Sequence, residues 1–293
     1  MTAMISPPVS CRPASQPETE RLRRLFPLGR SRAPTCSVVA VAGSEQALIG
    51  HATLVRRERD RDDAFVLLQT RGGEADLTDR LLAEAIVVAR ACGLTALSTF
   101  DSFPEHAEAA APFLRAGFSA AEWIIEASVR MAEAEARARR VLERFQRRGG
   151  IPEGLDFTDL TRRELWPAVR KKVHDERLMD AGRFDDAVAG RGSQPLDRES
   201  SAIIADGSEL LGIHLASRVP GGLHIPVRWV HENHRHGWLN AALMIMTGDR
   251  CGCPPEAPIS LGFHTAIHSE TARYAHRMGA RITSVKQRLR ITL

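Results

Sequence analysis

The feature that most constrains this chain is an internal repeat. "ALIGHATLV" carries Gly50 and "ELLGIHLAS" carries Gly212. Each glycine sits in an apolar, β-rich run that follows a turn, "AGSEQ" before the first and "ADGSE" before the second. Downstream, "FLRAGFSAAEWIIEASVRM" carries Gly117 and "AHRMGARITSVKQRLRITL" carries Gly279. In both, a helical pattern stops at a glycine, the residue best able to take a left-handed C-terminal cap, and a β-type run follows. Gly50 and Gly117 lie 67 residues apart, as do Gly212 and Gly279, so a single offset of 162 superposes both pairs without a gap. A fixed period is the mark of a duplicated fold.

The same offset aligns "LTDRLLAEAIVVARACG" with "LNAALMIMTGDRCGC", and "LTALSTFDSFPEH" with "PISLGFHTAIH". The first copy predicts strands at Val38–Ala42, Ala47–Arg56 and Ala64–Leu68 and a helix from about Leu77 to Ala91. A strand near Leu94–Phe100, a helix near Glu105–Arg115 and a strand near Trp123–Arg130 complete it. The second copy repeats this order from Ala202 to Leu293, after a strand-like "LDFTDL" and two helices, "RRELWPAVRKKVHDERL" and "GRFDDAVAG". The expected class is therefore α/β, of the α+β kind: two tandem mixed-sheet domains flanked by helices. The boundaries expected are a flexible tail over 1–35, a first domain over 36–131, a connector over 132–152 and a second domain over 153–293. The connector, "MAEAEARARRVLERFQRRGG", is charged and helical with heptad-like apolar positions Val141, Leu142 and Phe145, and it closes on Gly149, Gly150 and Pro152.

Composition narrows the function classes. A hydrophobic share of 43% supports ordinary cores, and no apolar run approaches the roughly 18–20 residues a membrane helix needs. The first twenty residues lack the apolar centre of a secretory signal. Five cysteines, an odd number without framework spacing, point to a reduced, cytoplasmic protein. A formal charge of +4 permits anionic ligands and gives no argument for nucleic acid.

This order of elements, with a turn into a central helix and a closing helix–glycine–strand, resembles the GNAT acyl-CoA N-acyltransferase superfamily over roughly 36–131 and again 153–293. The resemblance implies a tandem GNAT protein with acetyl-CoA or another acyl-CoA as co-substrate. It implies a central strand that splays from its neighbour, followed by a loop of the form Arg/Gln-x-x-Gly-x-Gly/Ala that holds the pyrophosphate. The physics is general: backbone N–H groups at a helix N-terminus bind anions, and glycines keep side chains out of the way. In the second copy the loop reads "VHENHRHGWLNAALM". Aligning Leu243 with the first buried leucine of the helix puts Arg235 at the motif's Arg/Gln, Trp238 at the first glycine and Asn240 at the second, with Gly237 one place early. His236 adds positive charge, and Leu239 lies within the loop. In the first copy, "TRGGEADLTDRLL" has Asp76 and Thr78 at the glycine positions, and Glu74 adds a charge that repels phosphate. The first copy is expected to be non-catalytic.

The histidines in "HENHRHGWLNAAL" admit three readings: a metal site built on His231, His234 and His236, a phosphate-gripping loop, or solvated loop histidines. The place of the stretch after a strand and before a helix favours the loop. For the chemistry, the resemblance implies backbone N–H groups near Val227 and Arg228 as oxyanion donors, since Pro226 has none. Val230 on the same strand is expected against the cofactor. It further implies that Tyr274, five residues before Gly279, gives a proton to the departing thiolate; half-buried packing on the sheet is the alternative. His214 and His224 are the candidate bases, being able to titrate near neutrality. His264 and His268 are candidates to touch the pantetheine arm, with Ser269 capping the last helix instead as the other reading. An amine of a small molecule or peptide is expected between the lead-in helices and the last helix, where Arg170, Lys171, His174, Asp175 and Arg177 lie. The competing function is a tandem GNAT-like binding protein that has lost coenzyme A, for which Trp238 and Asn240 are the evidence.

Overall fold

The structure, a computed structural model, describes residues 9–25, 34–42, 47–56, 62–71, 75–179, 181–191, 194–235, 237–264 and 269–293. It divides into two compact units: residues up to 123 together with 286–293, and residues 124–285.

Unit 1 contains β1 (Val9–Pro13), α1 (Gln16–Leu25), β2 (Pro34–Ala42), β3 (Ala47–Arg56), β4 (Asp63–Thr70), α2 (Ala75–Ala91), β5 (Ala96–Thr99), β6 (Phe103–Pro104) and α3 (Ala111–Arg115). The first part of β7 (Ser119–Arg130) follows. Strands β1 to β4 pair antiparallel in chain order, and β4 pairs parallel with β5. The chain's last strand then joins it: Arg290, Ile291 and Thr292 pair antiparallel with Ser98, Leu97 and Ala96. Helix α2 buries Leu77, Leu81, Leu82, Ala85 and Ala89 on this sheet, the four-residue rhythm of an amphipathic helix.

Two expectations change here. Part of the N-terminal tail is ordered: β1 pairs along β2, and Leu22 of α1 is buried with Val39 and Val41. The local cause is a capping box, Ser15-x-x-Glu18, in which the Glu18 carboxylate accepts from the Ser15 N–H at 2.8 Å. Arg12 donates to the same carboxylate at 2.9 Å and, as the largest influence, holds its pKa down to about 2. The helix expected near Glu105–Arg115 is shorter: a 3-10 turn at Glu108–Ala110 leads into α3, after His106 turns the chain at φ +63°.

Unit 2 contains α4 (Met131–Arg147), β8 (Asp156–Asp159), α5 (Trp166–Asp175), α6 (Ala181–Val188), β9 (Asp197–Asp206), β10 (Glu209–Val219), β11 (Gly222–Val230), α7 (Leu239–Cys251), β12 (Pro258–His264) and α8 (Ser269–Met278). Its sheet runs β8-β9-β10-β11-β12, antiparallel except for the parallel β11–β12 pair. Residues 124–130 of β7 close it, Ile124 to Arg130 pairing antiparallel with His264 to Pro258. One face packs under α5 and α6, the other under α4, α7 and α8. The connector thus belongs to unit 2: Met131, Ala134 and Ala138 are buried on one stripe of α4.

The 162-residue offset appears in three dimensions. β7 and β13 (Arg281–Thr292) are both 12 residues long and start 162 apart; β3 and β10 start at Ala47 and Glu209. The paired glycines have one physical role. A Cβ on Gly50 would stand 2.9 Å from Leu81, and one on Gly212 would stand 2.5 Å from Leu239 and 2.9 Å from Leu243. Each glycine lets the central helix pack against the strand. Gly117 and Gly279 cap at φ +90° and +82°. The divisions at 123/124 and 285/286 differ from those expected at 131 and 152, because the latter half of each copy's closing strand sits in the other unit. Both closing runs have the same β pattern, and a β pattern does not name its partner strand.

Candidate active site

The site in unit 2 begins with one extra residue in β11. That strand pairs with β12 only at Leu223, His224 and Ile225, and then parts from it at Pro226. Against β10 its register jumps, from Leu215↔Val227 to Ser217↔His224, so three steps on β11 match two on β10. This is a β-bulge, and it reverses the alternation of side chains. Before it, Leu223 and Ile225 pack under α7 and α8; after it, Val227 and Trp229 pack under α5 and α6. Arg228 is thereby turned to the α7–α8 face.

The backbone follows the same logic. The His231 N–H donates to the Leu211 carbonyl at 2.8 Å. In an antiparallel ladder donors alternate, so the Val227 and Trp229 N–H groups turn to β10, while those of Arg228 and Val230 turn to the side where β12 has parted. Of the two N–H groups expected to be free, that of Arg228 faces the parted edge and that of Val227 is turned to β10, and Val230 offers a second on the parted side.

Arg228 is buried, 7% exposed. Its Nε donates to Asn240 Oδ1 at 2.9 Å, a second guanidinium nitrogen donates to the same oxygen, and Thr271 Oγ1 lies at 3.5 Å from Nη1. The guanidinium carbon stands 4.5 Å from the centre of the Tyr274 ring. Among the described residues no carboxylate hydrogen-bonds to it, and Glu270 acts only at a distance. Burial pulls its pKa down to about 10, so it remains charged. Tyr274 is also buried, and among the described residues its hydroxyl meets no hydrogen-bond partner. Burial raises its pKa, opposed by Arg228, so the phenol keeps its proton. A buried cation and a buried orphan hydroxyl each cost free energy unless something answers them.

Above this floor lies a cavity of about 250 Å³. The first turn of α7 opens into it through Gly237, Asn240 and Ala241. Arg235 lines it from the loop, Arg273 and Arg277 from α8, and Arg137 and Arg144 from α4, with Val141 and Phe145 of the same helix. Glu270 is the one acid in this lining, and it pairs with Arg273 at 3.3 Å. These walls carry a strong positive field at a helix N-terminus, which suits phosphates.

The remaining predicted residues divide clearly. Asn240 faces the cavity, and its amide donates to the Arg235 carbonyl at 2.9 Å. Trp238 and Leu239 do not face the ligand side: Trp238 is buried with Val230 and lies 6.2 Å from the Phe157 ring, and Leu239 fills the space over Gly212. Their apolar bulk sends them into the core. The Val227 and Val230 side chains are core as well. His264 is half-buried at the end of β12, and His236 and His268 lie outside the described residues.

His214 has no exposure, its ring 5.8 Å from that of Tyr274 and its Nδ1 3.5 Å from Thr247 Oγ1. Burial pushes its pKa down to about 3, too low to take a proton at neutral pH. His224 precedes the bulge and has the opposite parity to Leu223 and Ile225. Its Nδ1 is 3.0 Å from Ser260 Oγ, and burial lowers its pKa, with Glu126 opposing. His231 and His234 stand 6.1 Å apart, and among the described residues no three metal-ligating side chains gather.

A second cavity, about 570 Å³, lies between α5 and α6 and is lined by Trp166, Phe184, Arg170 and His174. Of its charges, Arg170 pairs with Asp185 and Lys171 with Asp175, while Arg163 lies over the Trp166 ring at 5.8 Å. The Arg228 side chain, Thr271, Arg137 and Arg144 were not singled out by sequence. The i, i+4, i+7 spacing of Arg137, Val141 and Arg144 was the available signal for the last two.

No family profile and no curated protein matches the sequence. Solved structures do. A tandem GNAT protein from the clavulanic acid biosynthesis pathway superposes with a TM-score of 0.62 at 15% identity, over 97% of this chain and 98% of that one. A GCN5-related N-acetyltransferase from Anabaena variabilis gives 0.61 at 10% identity, over 97% and 72%. One from Sphaerobacter thermophilus gives 0.56 at 14%, over 95% and 86%. Among the described residues no helix is long and apolar enough to cross a membrane. The likeness to these structures, together with the splayed strand and the doubled element order, gives the chain its place: it has the tandem GNAT fold of the GCN5-related N-acetyltransferases.

Proposed function

We propose that unit 2 is an N-acyltransferase that moves an acyl group, acetyl in the simplest case, from acyl-CoA to an amine of a small molecule or peptide, and that unit 1 is structural. The observation that carries this reading is the floor of the cavity, where the splayed strand's free N–H groups, Arg228 and the orphan Tyr274 hydroxyl meet. The residues fit a phosphorylated thioester: the arginine walls answer phosphate charge, and the tyrosine answers sulfur.

Acyl-CoA, when bound, supplies an activated carbonyl. The N–H of Arg228 or Val230 stabilises negative charge on the carbonyl oxygen as the C–N bond forms. Tyr274 gives its proton to the departing sulfur as the C–S bond breaks, and recovers one from solvent. The adjacent Arg228 cation steadies the tyrosine oxygen while it is deprotonated. His224, neutral at physiological pH and on the α5–α6 face, is the base for the incoming amine; His214 serves packing. On this reading Tyr274→Phe lowers kcat by about a hundredfold with little change in KM. Unchanged turnover on a true substrate removes Tyr274 from the mechanism.

One observation favours the other reading, a binding protein without turnover: the Arg228 side chain lies across the cleft, held by Asn240 at a position where the family loop has glycine. Thermal-shift titration with acetyl-CoA, longer acyl-CoAs and free coenzyme A separates the two. A ligand that binds only the folded state at about a hundredfold excess over Kd adds about 2.7 kcal/mol of stability. No shift with any of them leaves the binding-protein reading standing.

A further inference from the structure

The glycines that normally open a phosphate loop are replaced here by Trp238 and Asn240, yet the cavity at the α7 N-terminus is lined by six arginines and one glutamate. Trp238 is committed to the core, so the loop backbone has lost part of its cradle. What stands in its place is side-chain charge from four separate elements: β11, the loop, α8 and the helix that joins the two copies.

The helix α4 is the unexpected contributor. Arg137, Val141 and Arg144 follow the i, i+4, i+7 spacing that puts residues on one face, and that face lines the cavity. Of the helix's other arginines, Arg139 is engaged with Asp249 at 2.9 Å, and Arg140 and Arg147 donate to the Ala136 and Glu143 carbonyls of their own helix. Among the described residues Arg137 and Arg144 have no such partner. Arg137 lies over the end of α8, where a Cβ on Gly279 would stand 2.8 Å from its guanidinium carbon. Gly279 therefore does more than cap α8: its missing side chain leaves room for Arg137 at the cavity. Beneath, Arg228 is buried with only neutral acceptors, and the Tyr274 hydroxyl beside it is unanswered.

We propose that Arg137 and Arg144 of the joining helix, with Arg228 beneath them, hold the ligand's phosphates in place of the glycine-loop backbone. The joining helix is then half of the binding site rather than a spacer. For the ligand's identity this rests on the acyl-CoA reading; the anion site itself does not. Side-chain charges at a solvent-open rim are screened by salt, unlike a buried backbone cradle, so affinity should fall steeply with ionic strength.

The test is calorimetric titration of the full chain with coenzyme A, acetyl-pantetheine (no phosphates) and inorganic pyrophosphate, at two salt concentrations. The exposed double variant Arg137→Gln/Arg144→Gln is compared with wild type, and melting curves confirm that it folds. The expected result is about a tenfold loss of affinity for coenzyme A and pyrophosphate, with a shallower salt dependence. Acetyl-pantetheine binding should stay within about twofold. Coenzyme A binding equally well to both proteins overturns the proposal and leaves the acyltransferase reading intact. Pyrophosphate binding that needs the arginines, with no coenzyme A binding to wild type, supports the anion site and removes that reading. Binding of none of the three to wild type overturns both.

Discussion

The two copies share their element order and glycines but differ at the strand beside the cleft. In unit 1, β4 pairs with β3 in unbroken register from Gly50↔Thr70 to Arg56↔Ala64. In unit 2, the equivalent β11 carries one extra residue against β10. Opposite Ala52, the counterpart of His214, unit 1 has Leu68 where unit 2 has Arg228, and Leu68 packs against the core under α2. Where unit 2 has Tyr274, the matching region of unit 1 has Phe113, packed 5.6 Å from Phe103 and 5.5 Å from Phe118. The first copy buries a neutral polar cluster instead, with Ser37 Oγ 3.2 Å and His51 Nδ1 3.1 Å from Thr53 Oγ1. The second keeps a buried cation and an unanswered hydroxyl. A polar, incompletely satisfied interior is retained at a cost to stability, and function is the usual reason for such a cost.

The sharpest way to break this comparison is to separate the copies. Because residues 286–293 complete unit 1 and residues 124–130 complete unit 2, neither 1–152 nor 153–293 should fold alone. Amide exchange or circular dichroism on each half tests this, and an independently folded half would refute the strand exchange. Next is Arg228→Met, which removes the buried charge: stability should rise, by about 1–4 kcal/mol, while phosphate binding falls. A drop in the denaturant midpoint would mean that Arg228 is structural. Gly50→Ala and Gly212→Ala probe what the copies share, and each should cost about 1–3 kcal/mol by crowding its leucines. A neutral result at one site alone would show that the two helices are packed differently.

The smallest effect is one of pH. Burial holds His214 near pKa 3, against about 6.5 when unfolded. Below pH 6.5 the unfolded chain therefore takes up a proton that the folded chain refuses. Stability from this group is full above that pH and falls toward pH 3, by up to about 1.4 kcal/mol per unit. His51 and His224, also lowered by burial, add to the same slope. Melting curves between pH 7 and 5 should show a shallower decline for His214→Gln than for wild type; identical slopes would mean that His214 is solvated.

Much of this was legible in the chain. The paired glycines, their common spacing and the helix-to-glycine-to-strand endings are local features, and local sterics and periodicity express them wherever they occur. The capping box at Ser15 was legible too, although the tail's polar composition obscured it. The loop was harder to read. Aligning it to a glycine motif placed Trp238 and Leu239 against a ligand, whereas burying their apolar surface required them to face the core.

By itself, then, the sequence determined a duplicated α+β chain, the order of its elements and the glycines its helices need. Three things were decided only by tertiary structure: which sheet each closing strand joins, which helix face the connector turns to unit 2, and where Arg228 points. Each depends on pairing between distant segments. A single unpaired residue near Pro226 reverses every side chain beyond it, and no local pattern in "LHIPVRWV" reveals that the strand on the other side has one residue fewer.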